Sequence, residues 1–481
     1  MELSKQDYSE IGLEYLLRRV ETITPYGQDR LIEQTPYLPS QEAELLAELS
    51  AVEFFHRLDP ILTRQLSSAL GPFKDIRRSL QRLSGGGVFD EVEFYEVKYF
   101  CFQVERLREV LEKLENPRLE LEPTQGIFDI LDPQGNQRLT FHFYDEYAPE
   151  LSQLREEKRR LDRRYYQDPS DQAAITERGE VIHRLEDVIW QVRQTLSNAL
   201  KPYIRLLQTN AKRIGEIDHW LAKAALARIF SGIRPQLGDN LKVAGLRNPW
   251  IESILRQKNR QLQPIDLHLE PGCTVLTGAN MGGKSVSLKS LLLNVELFRH
   301  GYYVYAQEAT FPLYHYISYQ AQDTGSIERG LSSFGREVVM LKELLKRRHQ
   351  AGLIVLDEPA RGTNPSEASA IVSTLCHTYH DCAATLLLVT HFPGVARAAN
   401  RHFQMSGLKV DASTIKDWSE TESEEALAYL ERQMDYRLIE VSADQAVPHE
   451  GIRVMQFLGM PAPFIDQIKQ NLGDKHDETT A

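Results

Sequence analysis

The chain contains the run Gly278-Ala279-Asn280-Met281-Gly282-Gly283-Lys284-Ser285, which has the spacing Gly-x-x-x-x-Gly-Lys-Ser. It follows the apolar segment Thr274–Thr277 and precedes a helical pattern, which is the context a phosphate-binding loop requires. Glycines there let backbone N–H groups converge on a phosphate at a helix N-terminus. Lys284 would supply positive charge to the β- and γ-phosphates, and the Ser285 hydroxyl would ligate Mg²⁺. The whole run is predicted to bind a nucleoside triphosphate, because the flanking strand and helix disfavour a chance glycine loop.

Two adjacent carboxylates follow a second apolar segment. Leu353–Leu356 predicts a buried strand, and Asp357-Glu358 stand at its end. Asp357 is predicted to hold Mg²⁺ through water, and Glu358 to polarise the attacking water as the general base. Adjacent acids are common in solvated loops, so this interpretation depends on the phosphate-binding loop upstream.

Two further positions are candidates for contact with the γ-phosphate. His391 follows the predicted strand Ala384–Val389, where it could sense that phosphate or orient the water; the alternative is a histidine that caps a strand end. Ser332 precedes a helical pattern that runs to about Arg348. It could cap that helix, or the helix N-terminus could meet a phosphate held by a second subunit.

Taken together, these segments resemble the ATPase domain of the MutS family. The resemblance covers roughly residues 240–470, and it includes an Asn-Met-Gly-Gly loop interior that most other phosphate-binding loops lack. It implies a homodimer, or a heterodimer with a related MutS-like subunit, with two ATP–Mg²⁺ sites at the interface and Ser332 acting across it. The similar segments are Thr277–Ser285, Leu331–Glu337, Asp357–Thr363, Thr390-His391, Gly451–Val454 and Leu458–Pro461.

The N-terminal half is similar to the helical core of the second MutS branch, which carries an Smr nuclease. Lys74–Arg77 and Gly85–Val88 carry that similarity. We expect no mismatch-recognition, connector or Smr domain, and a clamp reduced to a turn. Phe94-Tyr95-Glu96 matches the Phe-x-Glu of mismatch readers, but it lies in a helical pattern and is interpreted as a coincidence.

The patterns predict a multidomain α plus α/β chain. A helical core and lever are expected before a P-loop NTPase domain with a mostly parallel sheet, and the resemblance to the MutS family implies that its ATP site is composite and ABC-like. Four segments are predicted: a helical core (1–125), a hairpin and long-helix lever arm (126–240), the MutS-type ATPase domain (241–450), and a C-terminal helical dimerisation segment with a tail (451–481).

Three local predictions follow within these segments. Gly126–Phe143 reads as a strand, a turn and a strand, and therefore as a small β-hairpin. Two long helices, from about Glu146 to Gln167 and from Asp171 to Leu200, should reverse direction between Asp168 and Asp171 to form an antiparallel arm. Gly301–Ala306 is predicted to be one of the buried strands of the sheet.

Composition limits the function classes. The chain has 481 residues, 42% of them hydrophobic, and a formal net charge of −12. Its N-terminus lacks the apolar core of a signal peptide and no apolar run is long enough for a membrane span, so we expect a cytoplasmic protein without a membrane partner. The negative balance argues mildly against nucleic acid, because binding to phosphates normally needs a basic surplus.

Two function classes remain open. The first is a DNA-processing ATPase that binds mismatched or branched double-stranded DNA and switches state with ATP; the basic stretch Lys158-Arg159-Arg160 near the arm tip favours it, although acids interleave with it. The second is a DNA-independent ATPase that reactivates an adenosylcobalamin-dependent aminomutase. Gly407–Lys409 and Met434–Leu438 resemble segments of truncated MutS-like proteins that are associated with bacterial lysine aminomutases. An ABC transporter would need a Leu-Ser-Gly-Gly-Gln signature, and an SMC-type protein a longer coiled coil.

Overall fold

Two compact units make up the structure, which is a computed structural model. Residues 1–20, 35–53 and 224–481 form one unit, here called the sheet unit, and residues 21–34 and 54–223 form the helical unit. The structure describes residues 3–136, 138–278, 283–321, 333–392, 394–409, 429–430, 432–445 and 450–477.

Helices make up most of the described chain, and no helix among these residues is both long and apolar enough to cross a membrane. They are α1 (Lys5–Ile11), α2 (Leu13–Leu17), α3 (Pro25–Ile32), α4 (Glu42–Arg57), α5 (Pro60–Leu70), α6 (Arg77–Ser84), α7 (Glu91–Glu112), α8 (Gln125–Leu131), α9 (Pro149–Gln167), α10 (Gln172–Leu200), α11 (Ile204–Ile229), α12 (Pro249–Gln257), α13 (Lys284–Arg299), α14 (Ser333–Arg347), α15 (Pro365–Tyr379), α16 (Glu450–Phe457) and α17 (Ala462–Asp477).

The strands all lie in the sheet unit. They are β1 (Gln236–Leu237), β2 (Leu241–Leu246), β3 (Ile265–Leu269), β4 (Gly272–Thr277), β5 (Glu308–Phe311), β6 (Tyr316–Gln320), β7 (Gly352–Asp357), β8 (Thr385–Val389), β9 (Arg401–Leu408) and β10 (Met434–Glu440).

The larger sheet has six strands in the order β10-β9-β4-β8-β7-β6. Every neighbouring pair is parallel except β10 with β9, which confirms the predicted mostly parallel sheet. The register places Val389 beside both Leu276 and Asp357. The carboxyl ends of β4, β7 and β8 therefore stand level at one edge of the sheet.

Burial explains why these strands form the centre of the unit. Every residue of β4, β7 and β8 is buried, as expected for parallel strands covered by helices on both faces. Alternate side chains such as Val275, Ile354 and Leu386 pack with α15 in one core cluster. Nearly all of α13 is buried as well, so the helix that follows the predicted phosphate-binding loop is fixed within the core.

A smaller sheet pairs the strands in the order β1-β5-β2-β3. The segment that precedes β5 differs from its prediction. Gly301–Ala306 is not a strand of the parallel sheet; β6 takes that position. Val304 makes only an isolated bridge with Ile233, and the Tyr305 N–H donates to the Asn294 side chain on α13. The segment is buried and aromatic, but its backbone hydrogen bonds go to a helix and a loop, which hydrophobicity alone does not reveal.

In the helical unit, α9 and α10 form the predicted antiparallel pair, here called the helical arm. Leu154 and Leu161 of α9 pack with Val181 of α10. The predicted reversal is present, since the Asp168 carboxylate accepts the Ser170 N–H and the Asp171 carboxylate caps α10. Ion pairs tie the two helices together: Arg164–Asp171, Arg164–Glu177, Arg178–Asp162 and Arg184–Glu157.

The predicted hairpin over Gly126–Phe143 is wrong for the described residues of that segment. Ile127, Phe128 and Leu131 are buried on one face of α8. Their spacing fits a helix as well as a strand, because the short apolar run alternates only weakly with polar residues. After α8, a fully buried lysine binds both ends of the segment. Lys98 Nζ of α7 donates to Asp132 Oδ1 at 3.1 Å and to the Thr140 carbonyl at 3.2 Å. A buried charge needs such partners, and this one holds the segment without a strand ladder.

Phe94 lies on α7 with no exposed surface, which supports the interpretation of Phe94-Tyr95-Glu96 as a coincidence. Its ring packs on Phe89, Phe141 and Phe143. A side chain so enclosed belongs to the core of the helical unit and cannot stack on a nucleic-acid base in this conformation.

Candidate nucleotide-binding site

The level strand ends bring most of the predicted site residues to one edge of the six-stranded sheet. Gly278 follows β4, Asp357 ends β7, and His391 lies two residues beyond β8. Backbone hydrogen bonds extend the alignment past the strands, from the Glu358 N–H to the Val389 carbonyl and from the Thr390 N–H to the Leu276 carbonyl. Ligands of open parallel sheets bind at this kind of edge.

Two glycines of the predicted loop are required by geometry. Gly278 has a φ of +139° and Gly283 a φ of +84°, and both values are unfavourable for residues with a Cβ atom. A Cβ on Gly283 would stand 2.8 Å from the Tyr436 ring, and one on Gly278 would stand 2.8 Å from Met405 Cβ. Gly283 is also the N-cap of α13. The remaining predicted loop residues, Ala279, Asn280, Met281 and Gly282, lie outside the described residues.

Lys284 is buried at the start of α13. Its Nζ donates to the Gly278 carbonyl at 2.6 Å and lies 3.7 Å from Glu358 Oε1. Burial lowers the pKa of the lysine, while the nearby Glu358 and Asp357 carboxylates oppose that shift. The amine therefore stands between the Gly278 carbonyl and the Glu358 carboxylate.

Ser285 and Asp357 meet directly. The Ser285 hydroxyl donates to Asp357 Oδ2 at 2.9 Å, and Oδ1 of the same buried carboxylate has no hydrogen-bond partner among the described residues. Burial raises the pKa of Asp357, which the Ser285 hydrogen bond partly offsets. A hydroxyl beside an orphaned carboxylate oxygen is the donor set that a hard cation such as Mg²⁺ prefers, so the residues present fit this ion.

Glu358 is enclosed by positive or protonatable groups. Its carboxylate forms an ion pair with Arg361, lies 3.7 Å from Lys284 Nζ, and is 3.9 Å from His391 Nδ1. The last distance is too long for a hydrogen bond, and the His391 side chain is 45% exposed. His391 is thus near the predicted base and open to solvent, as a residue that meets a ligand would be.

Ser332, the candidate for action across an interface, lies outside the described residues. The helix predicted after it is present as α14, which begins at Ser333. On this helix Val338 and Val339 are 47% and 60% exposed.

A cavity beside Gly283 of the predicted phosphate-binding loop was not foreseen from the sequence. It has a volume of about 760 Å³, and its lining includes Gly283, Ser287, Arg260, Gln263 and Tyr436. The Gln263 side chain joins its two walls, because it donates to Asp435 at 3.0 Å and accepts the Tyr436 N–H at 2.9 Å. No local sequence signal marks these residues as a set, because they lie in three separate stretches of the chain.

Two charged neighbours of the acids were also missed. Arg361 pairs with Glu358, and Glu337 of α14 accepts the Ala360 N–H at 2.6 Å. Both residues stand inside the quoted motifs, but only Arg361 had a sequence signal, which is its position three residues after Glu358. The Glu337 contact joins two elements and needed the structure.

Comparison with known proteins relates this part of the chain to one protein family. The family described as MutS domain V matches residues 274–474. The DNA mismatch repair protein MutS of Thermus aquaticus is 30% identical over 224 residues, which are 46% of this chain and 26% of that protein. The protein of the same name from Shouchella clausii is 27% identical over 285 residues, 59% of this chain and 31% of that protein.

The second MutS branch is represented as well. Endonuclease MutS2 of Listeria monocytogenes is 24% identical over 290 residues, 59% of this chain and 36% of that protein. The chain thus spans only about a third of the length of these relatives. The match and the geometry coincide at the strand ends described above, and residues 274–474 are therefore a MutS-family ATPase domain.

Proposed function

We propose that this chain binds and hydrolyses ATP with Mg²⁺ at the edge formed by β4, β7 and β8. The observation that carries the proposal is the convergence of Lys284, Ser285, Asp357 and Glu358, which come from two distant chain segments. Ser285 and Asp357 would hold Mg²⁺, which when bound neutralises charge on the β- and γ-phosphates. Lys284 would exchange its Gly278 carbonyl for a phosphate oxygen.

Glu358 would act as the general base. A base must reach the proton that it abstracts, and this carboxylate lies at the sheet edge beside the group that would bind the γ-phosphate. Arg361 and Lys284 place two basic side chains beside this buried carboxylate. His391 would orient the attacking water or sense the γ-phosphate.

The cavity beside the loop would accept the adenine base. It adjoins Gly283, from which a bound triphosphate would extend, and Tyr436 supplies an aromatic face at that junction. Arg260 and Gln263 add polar groups that could meet the base edge. Apolar pockets with a few fixed polar groups are typical of nucleotide base sites.

The ATP site would be of the ABC-like composite type, completed by Ser332 of a second subunit in a homodimer or a heterodimer with a related chain. Exposed apolar side chains on α14, on the two C-terminal helices and on the turn between those helices support pairing, because exposed apolar surface can mark an interaction site. They are Val338, Val339, Met455, Leu458, Met460 and Phe464.

The process served by ATP would be a switch between conformations on double-stranded DNA that is mismatched or branched, within mismatch repair or recombination. The support comes from the matched relatives and from the helical arm, where Arg159, Arg160 and Arg163 are exposed on α9. These three form no ion pair with the described residues, in contrast to Lys158 and Arg164. An exposed arginine face can contact phosphates.

The second candidate is an ATPase that remodels an adenosylcobalamin-dependent aminomutase without DNA. It is favoured by ion pairs within the helical arm, which occupy basic side chains that DNA phosphates would otherwise meet. The basic residues in these pairs are Lys158, Arg164, Arg178 and Arg184. The net charge of −12 points the same way.

Salt titration of binding to perfect, mismatched and branched duplexes separates the two candidates. The DNA function requires binding that weakens steeply with salt, because arginines that meet phosphates release counterions. Replacement of Arg159, Arg160 and Arg163 by alanine should then reduce the salt dependence, whereas Arg397→Ala, an exposed arginine elsewhere, is the control. Absence of binding at low salt, with or without nucleotide, would leave the remodelling function.

A further inference from the structure

A hydrogen bond connects α14 to the loop that carries the proposed base. Glu337, on the second turn of α14, is only 8% exposed, and its Oε1 accepts the N–H of Ala360 at 2.6 Å. The contact links a buried side-chain oxygen of one element to a backbone donor of another, and removing the acceptor would leave that donor without its partner.

The loop that receives this bond has an unfavourable backbone. Glu358 has a φ of +55° and Ala360 a φ of +63°, both in the left-handed region that residues other than glycine avoid. Pro359 between them restricts the residue before it still further. Conformations of this kind persist only where the surroundings hold them.

A second contact from α14 meets the same loop. A Cβ atom on Gly362 would lie 2.8 Å from Phe334 Cβ, so the first turn of α14 packs directly against this glycine. At the other end, the Glu358 N–H is fixed by the Val389 carbonyl at 2.9 Å. The left-handed turn is therefore held between β8 and α14.

We propose that Glu337 is a positioning residue for hydrolysis: by accepting the Ala360 N–H, it holds the left-handed turn that aims the Glu358 carboxylate at the attacking water. The inference rests on the proposed ATPase function and adds a residue to it. Because Ser332 immediately precedes α14 in sequence, a subunit contact there would reach Glu358 through Glu337.

The test compares Glu337→Ala and Glu337→Gln in the full-length chain by steady-state ATP hydrolysis and by equilibrium binding of Mg²⁺–ATP. Alanine removes the acceptor, and we expect kcat to fall about 10- to 100-fold while KM and the Kd for Mg²⁺–ATP change by less than about threefold. Glutamine keeps an amide oxygen in place, so its kcat should stay within about threefold of the wild type. Glu343→Ala, an exposed glutamate on the same helix, is the matched control.

A second variant tests the left-handed turn itself. Glycine adopts a φ near +63° without the penalty that alanine carries, so Glu337→Ala/Ala360→Gly should recover at least about fivefold of the lost kcat. This variant remains informative if Glu337→Ala alone folds poorly, which thermal unfolding would reveal.

Undiminished kcat in Glu337→Ala, equal losses in the alanine and glutamine variants, or loss of Mg²⁺–ATP binding in parallel with kcat would each overturn the positioning role. So would a double variant without recovery. A wild-type protein that shows no hydrolysis would refute the proposed function instead, and the inference with it.

Discussion

The Ser285 hydroxyl donates a 2.9 Å hydrogen bond to Asp357 Oδ2, although 72 residues separate the two in sequence. Ser285 stands at the start of a helix, and Asp357 at the end of a strand that is not adjacent to the strand before that helix. The second oxygen of Asp357 has no partner among the described residues. The Ser285 hydroxyl and the Asp357 carboxylate are thus placed to contact one bound cation together.

Ser285→Ala should raise the Mg²⁺ concentration that gives half-maximal ATP hydrolysis by about tenfold, because one oxygen ligand of a hard cation is lost. Chelation of Mg²⁺ with EDTA should abolish turnover of the wild type. Both effects are measured by titration of Mg²⁺ at saturating ATP. Thr374→Ala removes an exposed helical hydroxyl on α15 and should leave the titration unchanged. An unaltered Mg²⁺ requirement in Ser285→Ala would exclude the ligand role.

Glu358→Gln should retain ATP but lose most of its turnover. A positioned general base contributes about 10² to 10⁴ in rate, and an amide cannot take the proton. Filter binding of labelled ATP and single-turnover hydrolysis measure the two properties separately. Asp381→Asn, which changes a carboxylate that is 94% exposed, is the control for loss of charge. Normal hydrolysis in Glu358→Gln contradicts the base assignment.

Tyr436→Ala should raise the KM for ATP about tenfold with little change in kcat. Stacking of a base on an aromatic ring is worth about 1–3 kcal/mol, and the ring lines the cavity next to Gly283. Tyr436→Phe keeps the ring and should behave like the wild type. If alanine and phenylalanine have the same effect, or if inorganic triphosphate binding weakens as much as ATP binding, the base does not stack there.

The centre of the fold was predictable because its signals are local. The strands β4, β7 and β8 are short apolar runs, and each is followed by residues whose type has a chemical meaning at a strand end: a glycine loop, two acids, and Thr390-His391. The helical arm was predictable for the same reason, since the apolar spacing of α10 is regular and polar turn residues precede it.

The failures concern segments whose partners are distant in sequence. Gly301–Ala306 is as apolar as a strand, but its backbone bonds go to Asn294 and Ile233. The expected hairpin before Phe143 is replaced by a helix and by a segment held on Lys98. In the site, the hydrogen bond from the Ala360 N–H to Glu337 depends on a left-handed turn. Its residues are not glycines, so the sequence does not predict that conformation. The division into four segments, at 125, 240 and 450, stays a prediction.

Mixing of two inactive variants tests whether the segment Leu331–Glu337, here called the signature, acts across a dimer through Ser332. Lys284→Ala disables the phosphate-binding loop, and Ser332→Ala disables the signature. In a symmetric dimer with sites completed in trans, a mixed pair has one site built from the intact loop of one chain and the intact signature of the other. Random pairing of equal amounts should therefore restore about a quarter of wild-type turnover, because half of the dimers are mixed and each has one working site.

The same mixture distinguishes the alternative in which Ser332 only caps α14 within its own chain. Each site would then need both residues from one subunit, and the mixed dimer would contain no complete site. Hydrolysis measured after the two variants are denatured together and refolded, so that the subunits exchange, would stay at the level of the separate proteins. Lys284→Ala mixed with Glu358→Gln provides the control, because both changes lie on the same side of the interface and no arrangement of them yields a working site. Recovery in the first mixture without recovery in the second is the result that requires a neighbouring subunit, since only residues on opposite sides of the interface can complement each other.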